Sequence, residues 1–144
     1  MILRAPGPAD LPGLNGLMKA SAAYAGEYAA ILDGYEIDEA MLARDVYRLA
    51  EDEQGLIGFF SLTPGSPPEL DLMFVADVRQ GEGWGARLFQ VMAAQARALG
   101  ADAVLIVSHP PSVGFYERQG ALRIGDKPPT GRVGWSRPLL RMRL

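Results

Sequence analysis

Apolar and polar positions recur with two different periods along this chain, and the changes of period divide it into elements. Ile2, Leu3 and Arg4 make a short extended stretch that Pro6-Gly7-Pro8 interrupts. Leu11, Leu14 and Met18 then fall at i, i+3 and i+7, which predicts a helix beginning at or beside Asp10. A second helix is expected over 27–42, interrupted near Gly34. Val46, Arg48 and Ala50 alternate with Tyr47, Leu49 and Glu51, the period of a strand. Gly55 turns the chain back into 56–63, a near-continuous apolar run holding Ile57, Phe59 and Phe60, and Pro64-Gly65-Ser66-Pro67-Pro68 marks a loop.

Further along, a strand over 69–75 is expected to place Leu70, Leu72 and Phe74 on one side and Glu69, Asp71, Met73 and Val75 on the other. The stretch 83–99 reads as a long amphipathic helix through Trp84, Leu88, Met92 and Leu99, closed by Gly100. A short buried strand over 103–107 precedes a short helix over 112–119, which Gly120 ends. The last strands are expected at 121–125 and 139–144. Helices and strands mix without strict βαβ alternation, so the expected class is α/β of the α+β type, with a mixed sheet rather than a doubly wound parallel one.

Composition narrows what this pattern can be. At 144 residues and 49% apolar, the chain suits a single domain over 1–144 with a real core. Its 17 glycines and 11 prolines follow no period, which means many turns. The absence of cysteine removes disulfide scaffolds, thiolate nucleophiles, Cys-ligated zinc and iron–sulfur clusters. His109 is the only histidine, so no metal set is expected around it. No apolar stretch nears eighteen residues and the first ten carry Arg4, Asp10 and prolines, so a cytoplasmic protein without membrane association is expected.

Charge adds an asymmetry. The net −3 splits into four basic and thirteen acidic side chains over 1–77 against ten basic and four acidic ones over 78–144. The C-terminal half thus suits an anionic ligand, and the N-terminal half offers a field to a cation. The basic residues are dispersed, without interleaved aromatics, which argues against nucleic acid as a partner.

Gln80-Gly81-Glu82-Gly83-Trp84-Gly85 lies between an expected strand and helix. Glycines there let backbone N–H groups approach an anion, and a helix N-terminus adds a favourable field, so a pyrophosphate is the natural guest. A P-loop is excluded because Gly85 is followed by Ala86-Arg87 rather than Lys-Ser/Thr. A dinucleotide fingerprint is met loosely by Gly81, Gly83 and Ala86. Asp102, however, precedes the next strand instead of closing it.

The segment from Phe74 to Gly85 resembles the acetyl-CoA motif of the GNAT superfamily of N-acetyltransferases, Arg/Gln-x-x-Gly-x-Gly/Ala, met by Gln80, Gly83 and Gly85. At the family's distance, Ser112-Val113-Gly114-Phe115-Tyr116-Glu117-Arg118-Gln119-Gly120-Ala121 resembles its Asn-x-x-Ala-x-x-Phe-Tyr-x-x-x-Gly-Phe segment. The departures are Asp77 for a frequent proline, Trp84 for a common isoleucine, and Pro111-Ser112 where the second motif usually opens on asparagine. The resemblance implies the GNAT fold, a central mixed, mostly antiparallel sheet of six or seven strands flanked by about four helices.

It also implies direct transfer of an acetyl group from acetyl-CoA to an amine, without a metal. Coenzyme contacts are implied for Met73, Phe74 and Val75, for Gln80, Gly81, Glu82, Gly83, Trp84, Gly85 and Ala86, and for Ser112, Phe115 and Tyr116. A backbone N–H near Phe74 and Val75 would polarise the thioester oxygen, and the pantetheine arm would pair with that strand like an added one. Asp71 is the first candidate for the base and Glu69 the second, acting through water, with two ordinary solvated carboxylates as the bland alternative. Tyr116 is the implied acid for the departing thiolate, since a phenol of ordinary pKa, about 10, suits an alkyl thiolate. A tyrosine merely packed beside Phe115 is the alternative.

For the acceptor, the resemblance points to the region holding Tyr24, Tyr28 and Tyr35 with Glu27, Asp33, Glu36, Asp38 and Glu39. Acids and tyrosines together suit a cationic amine, although a solvated helical face with core tyrosines gives the same pattern. The loop over 131–138 would border the site with Trp135 as a wall. The expected partner is a small-molecule or peptide primary amine. A homodimer paired through an exposed final strand at 139–144 is a further expectation. Two other functions compete, a non-catalytic acyl-CoA-binding module and a dinucleotide-dependent oxidoreductase.

Overall fold

The computed structural model describes residues 1–21, 26, 34–130 and 133–144. Strand β1 (Ile2–Arg4) leads into helix α1 (Leu11–Ala20), and helix α2 (Glu39–Arg44) precedes the hairpin of β2 (Val46–Asp52) and β3 (Gly55–Thr63). Then come β4 (Glu69–Val75), α3 (Trp84–Ala98), β5 (Ala103–Val107), α4 (Val113–Arg118), β6 (Leu122–Lys127) and β7 (Arg137–Arg143). The strands form one seven-stranded sheet in the order β1-β2-β3-β4-β5-β7-β6. Every neighbouring pair is antiparallel except β4 with β5, which the crossover through α3 makes parallel.

Each face of the sheet carries its own core. Leu14 and Met18 of α1 bury against Leu49, Phe59, Leu72 and Phe74, with Ile37 beside them. On the opposite face Leu88, Phe89, Met92 and Ala96 of α3 bury against Phe60, Leu62, Leu70, Val104 and Ile106. Polar anchors fix the first layer. Asp10 accepts from Gly7 N at 2.8 Å and takes the Arg4 guanidinium at 2.8 and 2.9 Å, and Arg4 also reaches Glu51 at 2.7 Å, so β1, α1 and β2 are tied at one corner. Asn15 of α1 is buried and exchanges two hydrogen bonds with the Ile37 backbone, at 2.8 and 3.0 Å.

Three expectations need correction. The helix expected over 27–42 is found as α2, which starts where the Asp38 side chain accepts from Met41 N at 2.9 Å and runs on to Arg44. Positions 34–38 are not helical, and 27–33 lie outside the described residues. The simple alternation along 69–75 also fails. Ser61 of β3 pairs with Leu72 and Leu62 with Leu70, which leaves Asp71 as the extra residue of a β-bulge. The bulge sends Leu70 to the α3 core with Met73 and Val75, while Leu72 and Phe74 face α1. Lastly, β7 is interior, flanked by β5 and β6, so the last strand offers no free edge; among the described residues the sheet ends at β1 and β6. No helix among the described residues is long and apolar enough to cross a membrane.

Gly58 lets β3 and β4 approach. A methyl group there would lie 2.4 Å from the Phe74 carbonyl oxygen and 3.3 Å from Leu88 Cδ2. Gly58→Ala is therefore expected to cost about 1–3 kcal/mol, because backbone must move to admit it. Urea unfolding should show this as a lower midpoint at unchanged slope.

Candidate functional site

Strands β4 and β5 run parallel for only two residues, Glu69 opposite Leu105 and Leu70 opposite Ile106. On its other side β4 stays paired with β3 as far as Val75. The two central strands therefore part beyond Leu70, and 72–75 run on past the pairing with β5. A cavity of about 220 Å³ opens there, lined by Ser21, Met73, Phe74, Val75, Gln80, Gly85, Ser112, Phe115 and Tyr116. It joins the end of β4 to the start of α3 and to the α4 segment.

The loop before α3 is built for close approach. Gly81 and Gly83 both take φ of 80°, a left-handed conformation that costs a side-chain-bearing residue energy. The first α-type bond of the helix runs from Arg87 N to Gly83 O, at 3.2 Å, so the N–H groups of Trp84, Gly85 and Ala86 precede the helical ladder. Gly85 faces α4, where a Cβ would come within 3.1 Å of the Phe115 ring. Gln80 closes the end of β4 by donating from Nε2 to the Val75 carbonyl at 3.1 Å.

Behind this loop sits a side chain that sequence patterning did not single out. Arg79 is 9% exposed at its side chain and grips Asp52, the last residue of β2, at 2.6 and 2.9 Å. Its Nε also reaches Glu82 at 3.3 Å. Glu82 accepts from Trp84 Nε1 at 2.9 Å, and the Arg87 guanidinium lies 4.4 Å from the Trp84 ring centroid. The Arg79 guanidinium holds the Asp52 carboxyl down to about 2. Trp84 itself turns to another apolar groove, lined with Leu3, Ile57 and Val91, and not to the cavity at β4.

The two predicted carboxylates stand on β4 outside the lining of that cavity. Partial desolvation by the surrounding protein raises the Asp71 carboxyl above the usual range although the residue is solvent-exposed, the Asp45 charge adds to this, and Arg44 and a hydrogen bond from Tyr35 oppose it. Burial likewise raises Glu69, helped by the charge of Asp71 and opposed by Lys127 and Arg137. Asp45 is fully buried at its side chain and forks with Arg44 at 2.8 and 2.9 Å. Tyr47 and Ser61, directly opposite across β2 and β3, bury their side chains nearby, and burial pushes the Tyr47 hydroxyl up to about 12. The result is an anionic, hydroxyl-bearing region on the α2 side of β4.

Tyr116 and Phe115 meet edge to face, with centroids 5.2 Å apart, and both rings contact Phe89 of α3 at 6.1 and 6.3 Å. This packing places α4 against the cavity. His109 is buried at 3% exposure, at the turn before Pro110–Ser112, and does not line the cavity.

Eight of the predicted residues thus come together at one cavity: Met73, Phe74, Val75, Gln80, Gly85, Ser112, Phe115 and Tyr116. Gly81, Glu82, Gly83 and Ala86 stand in the adjoining loop and first helical turn. Tyr24, Glu27, Tyr28, Asp33, Gly131 and Arg132 lie outside the described residues. Trp135 is described and is not among the cavity's lining. Sequence reasoning missed Arg79, Asp52, Asp45 and Ser21.

Comparison with known proteins agrees with this fold. Residues 24–129 match the family profile described as an acetyltransferase (GNAT) domain. No curated protein sequence gives a significant match. Among solved structures, a PaiA N-acetyltransferase from Thermoplasma acidophilum, in complex with coenzyme A, superposes with a TM-score of 0.78 at 16% identity, over 99% of this chain and 98% of that one. The ribosomal-protein-alanine N-acetyltransferase of Brucella melitensis gives 0.75 at 20% identity, over 100% of both chains. A spermidine N-acetyltransferase SpeG chimera from Vibrio cholerae and hSSAT gives 0.74 at 17% identity, over 99% of this chain and 96% of that one. The parted central strands, the glycine loop and the family profile converge, and the chain belongs to the GNAT acetyltransferase family.

Proposed function

We propose that this protein transfers an acetyl group from acetyl-CoA to a primary amine of a small molecule or peptide. The observation that carries the reading is the cavity between β4 and α4, where the end of β4 beyond its pairing with β5, a glycine loop and Tyr116 converge. The coenzyme fits what is present. An extended arm can pair with the edge of Met73–Val75, and the left-handed glycines leave the loop's backbone open to a diphosphate. A solved structural relative in complex with coenzyme A supports the same choice.

Bound acetyl-CoA supplies the activated acetyl thioester. The chain's own groups have three tasks. Backbone N–H near Phe74 and Val75 donates to the oxygen on which charge builds. Asp71, with Glu69 second, accepts the proton that the attacking nitrogen must lose, through water, since neither lines the cavity. Tyr116 gives a proton to the sulfur as it leaves and is returned to its protonated form by solvent. The acidic, hydroxyl-bearing surface around Asp71 and Tyr35 suits an acceptor that arrives as a cation. Solved relatives whose names specify a protein alanine and spermidine show the range of amines this fold serves.

Calorimetric titration tests the first half. Acetyl-CoA is expected to bind at micromolar concentration or below, with no response to NADH. Absence of acetyl-CoA binding would remove the proposed function. Thiol release over a panel of amines tests the second half, since an acyl-CoA-binding module without catalysis would bind the coenzyme and release none.

A further inference from the structure

We infer that Arg79 is a positioning residue for the coenzyme's diphosphate, acting by bracing the glycine loop and by holding the Glu82 carboxylate out of the diphosphate's path. The inference rests on the acetyl-CoA reading of the cavity. An acidic residue inside an anion-binding loop is unfavourable unless its charge is compensated, and Glu82 stands between Gly81 and Gly83. Here its carboxylate is drawn back by Arg79 Nε at 3.3 Å and Trp84 Nε1 at 2.9 Å. The same guanidinium is clamped at its other end by Asp52, at 2.6 and 2.9 Å. Asp52 is fixed in turn by the β2–β3 turn, where it accepts from Gln54 N at 2.9 Å.

This arrangement links a loop to a rigid hairpin. Gly81 and Gly83 give the loop wide conformational freedom, which would have to be lost on each binding event. A planar guanidinium held on two sides fixes the loop beforehand, and it does so with little freedom of its own, being 9% exposed. Removing Arg79 would release the loop and leave the Glu82 carboxylate without its cationic partner beside the approach of a diphosphate.

The test compares acetyl-CoA with S-acetylpantetheine, which lacks the nucleotide and its diphosphate. Arg79→Met is expected to raise the Kd for acetyl-CoA about tenfold or more, and to leave that for S-acetylpantetheine within about twofold. Arg79→Met/Glu82→Gln should recover part of the loss, because the released negative charge is then gone. In the free protein, amide hydrogen exchange over 80–86 should quicken in Arg79→Met while that of β3 does not. Should Arg79→Met fold poorly, Asp52→Asn loosens the brace from its far end and is expected to weaken acetyl-CoA binding by a smaller factor. Equal losses for both donors, or acetyl-CoA binding unchanged in both variants, would overturn the inference. Failure of the unmodified protein to bind acetyl-CoA would instead overturn the reading of the cavity, and it would be seen before any variant was made.

Discussion

Tyr116→Phe is expected to lower kcat about 10²–10³-fold and to change the KM for acetyl-CoA by no more than about twofold. The variant deletes one oxygen and keeps the ring, so the edge-to-face contact with Phe115 and the contact with Phe89 persist and α4 stays in place. What disappears is the proton offered to the departing sulfur. Donors with a more acidic thiol need that proton less, so the variant's deficit should shrink with an aryl thioester. Steady-state thiol release with both donor types measures this. Turnover by Tyr116→Phe equal to that of the unmodified protein at saturating substrate would take Tyr116 out of the mechanism.

Asp71→Asn carries the second large effect, a fall in kcat/KM for the amine of about 10²-fold at neutral pH. The sign of its pH dependence follows from the structure. Partial desolvation first, and then the charge of Asp45, raise the Asp71 carboxyl above the range of an ordinary aspartate, although the residue is solvent-exposed. Activity should therefore decline on acidification at a higher pH than a solvated aspartate would give, and this acid limb should vanish in Asp71→Asn. Stability must run the other way. A carboxyl raised in the folded state stabilises the fold below its unfolded pKa, and that contribution is lost as pH rises through the folded value. Asp71→Asn is thus expected to be at least as stable as the natural protein at pH 7 while being slower, a pairing that simple damage would not produce. An acid limb that persists in Asp71→Asn and disappears in Glu69→Gln would hand the role of base to Glu69.

Most elements of the sheet were legible because each rests on local periodicity. The run Glu69–Val75, the helix Trp84–Ala98 and the strand Ala103–Val107 lie where their apolar spacing puts them. Local pattern fails where the answer depends on a partner strand. The bulge at Asp71 arises from the pairing of Ser61 with Leu72 and Leu62 with Leu70, and it alone decides that Leu70 and Leu72 bury on opposite faces. The interior position of β7 is set by β6 folding back outside it, which no property of 137–143 announces. The glycine loop and Tyr116 could be found from motif spacing. Arg79 could not, since an arginine beside a glycine loop reads as solvated until its partner, 27 residues earlier in the chain, is brought against it.

The short parallel contact between β4 and β5 also has a mechanical side. Four strands, β1 to β4, and three strands, β5 to β7, are stitched into one sheet by a seam only two residues long. Such a sheet resembles a book held at one end of its spine, stiff within each cover and weakest along the open length of the spine. An extended guest laid into that opening would add stitches of its own. Loading the protein and stiffening it would then be one event, with the amides of 72–75 reporting both.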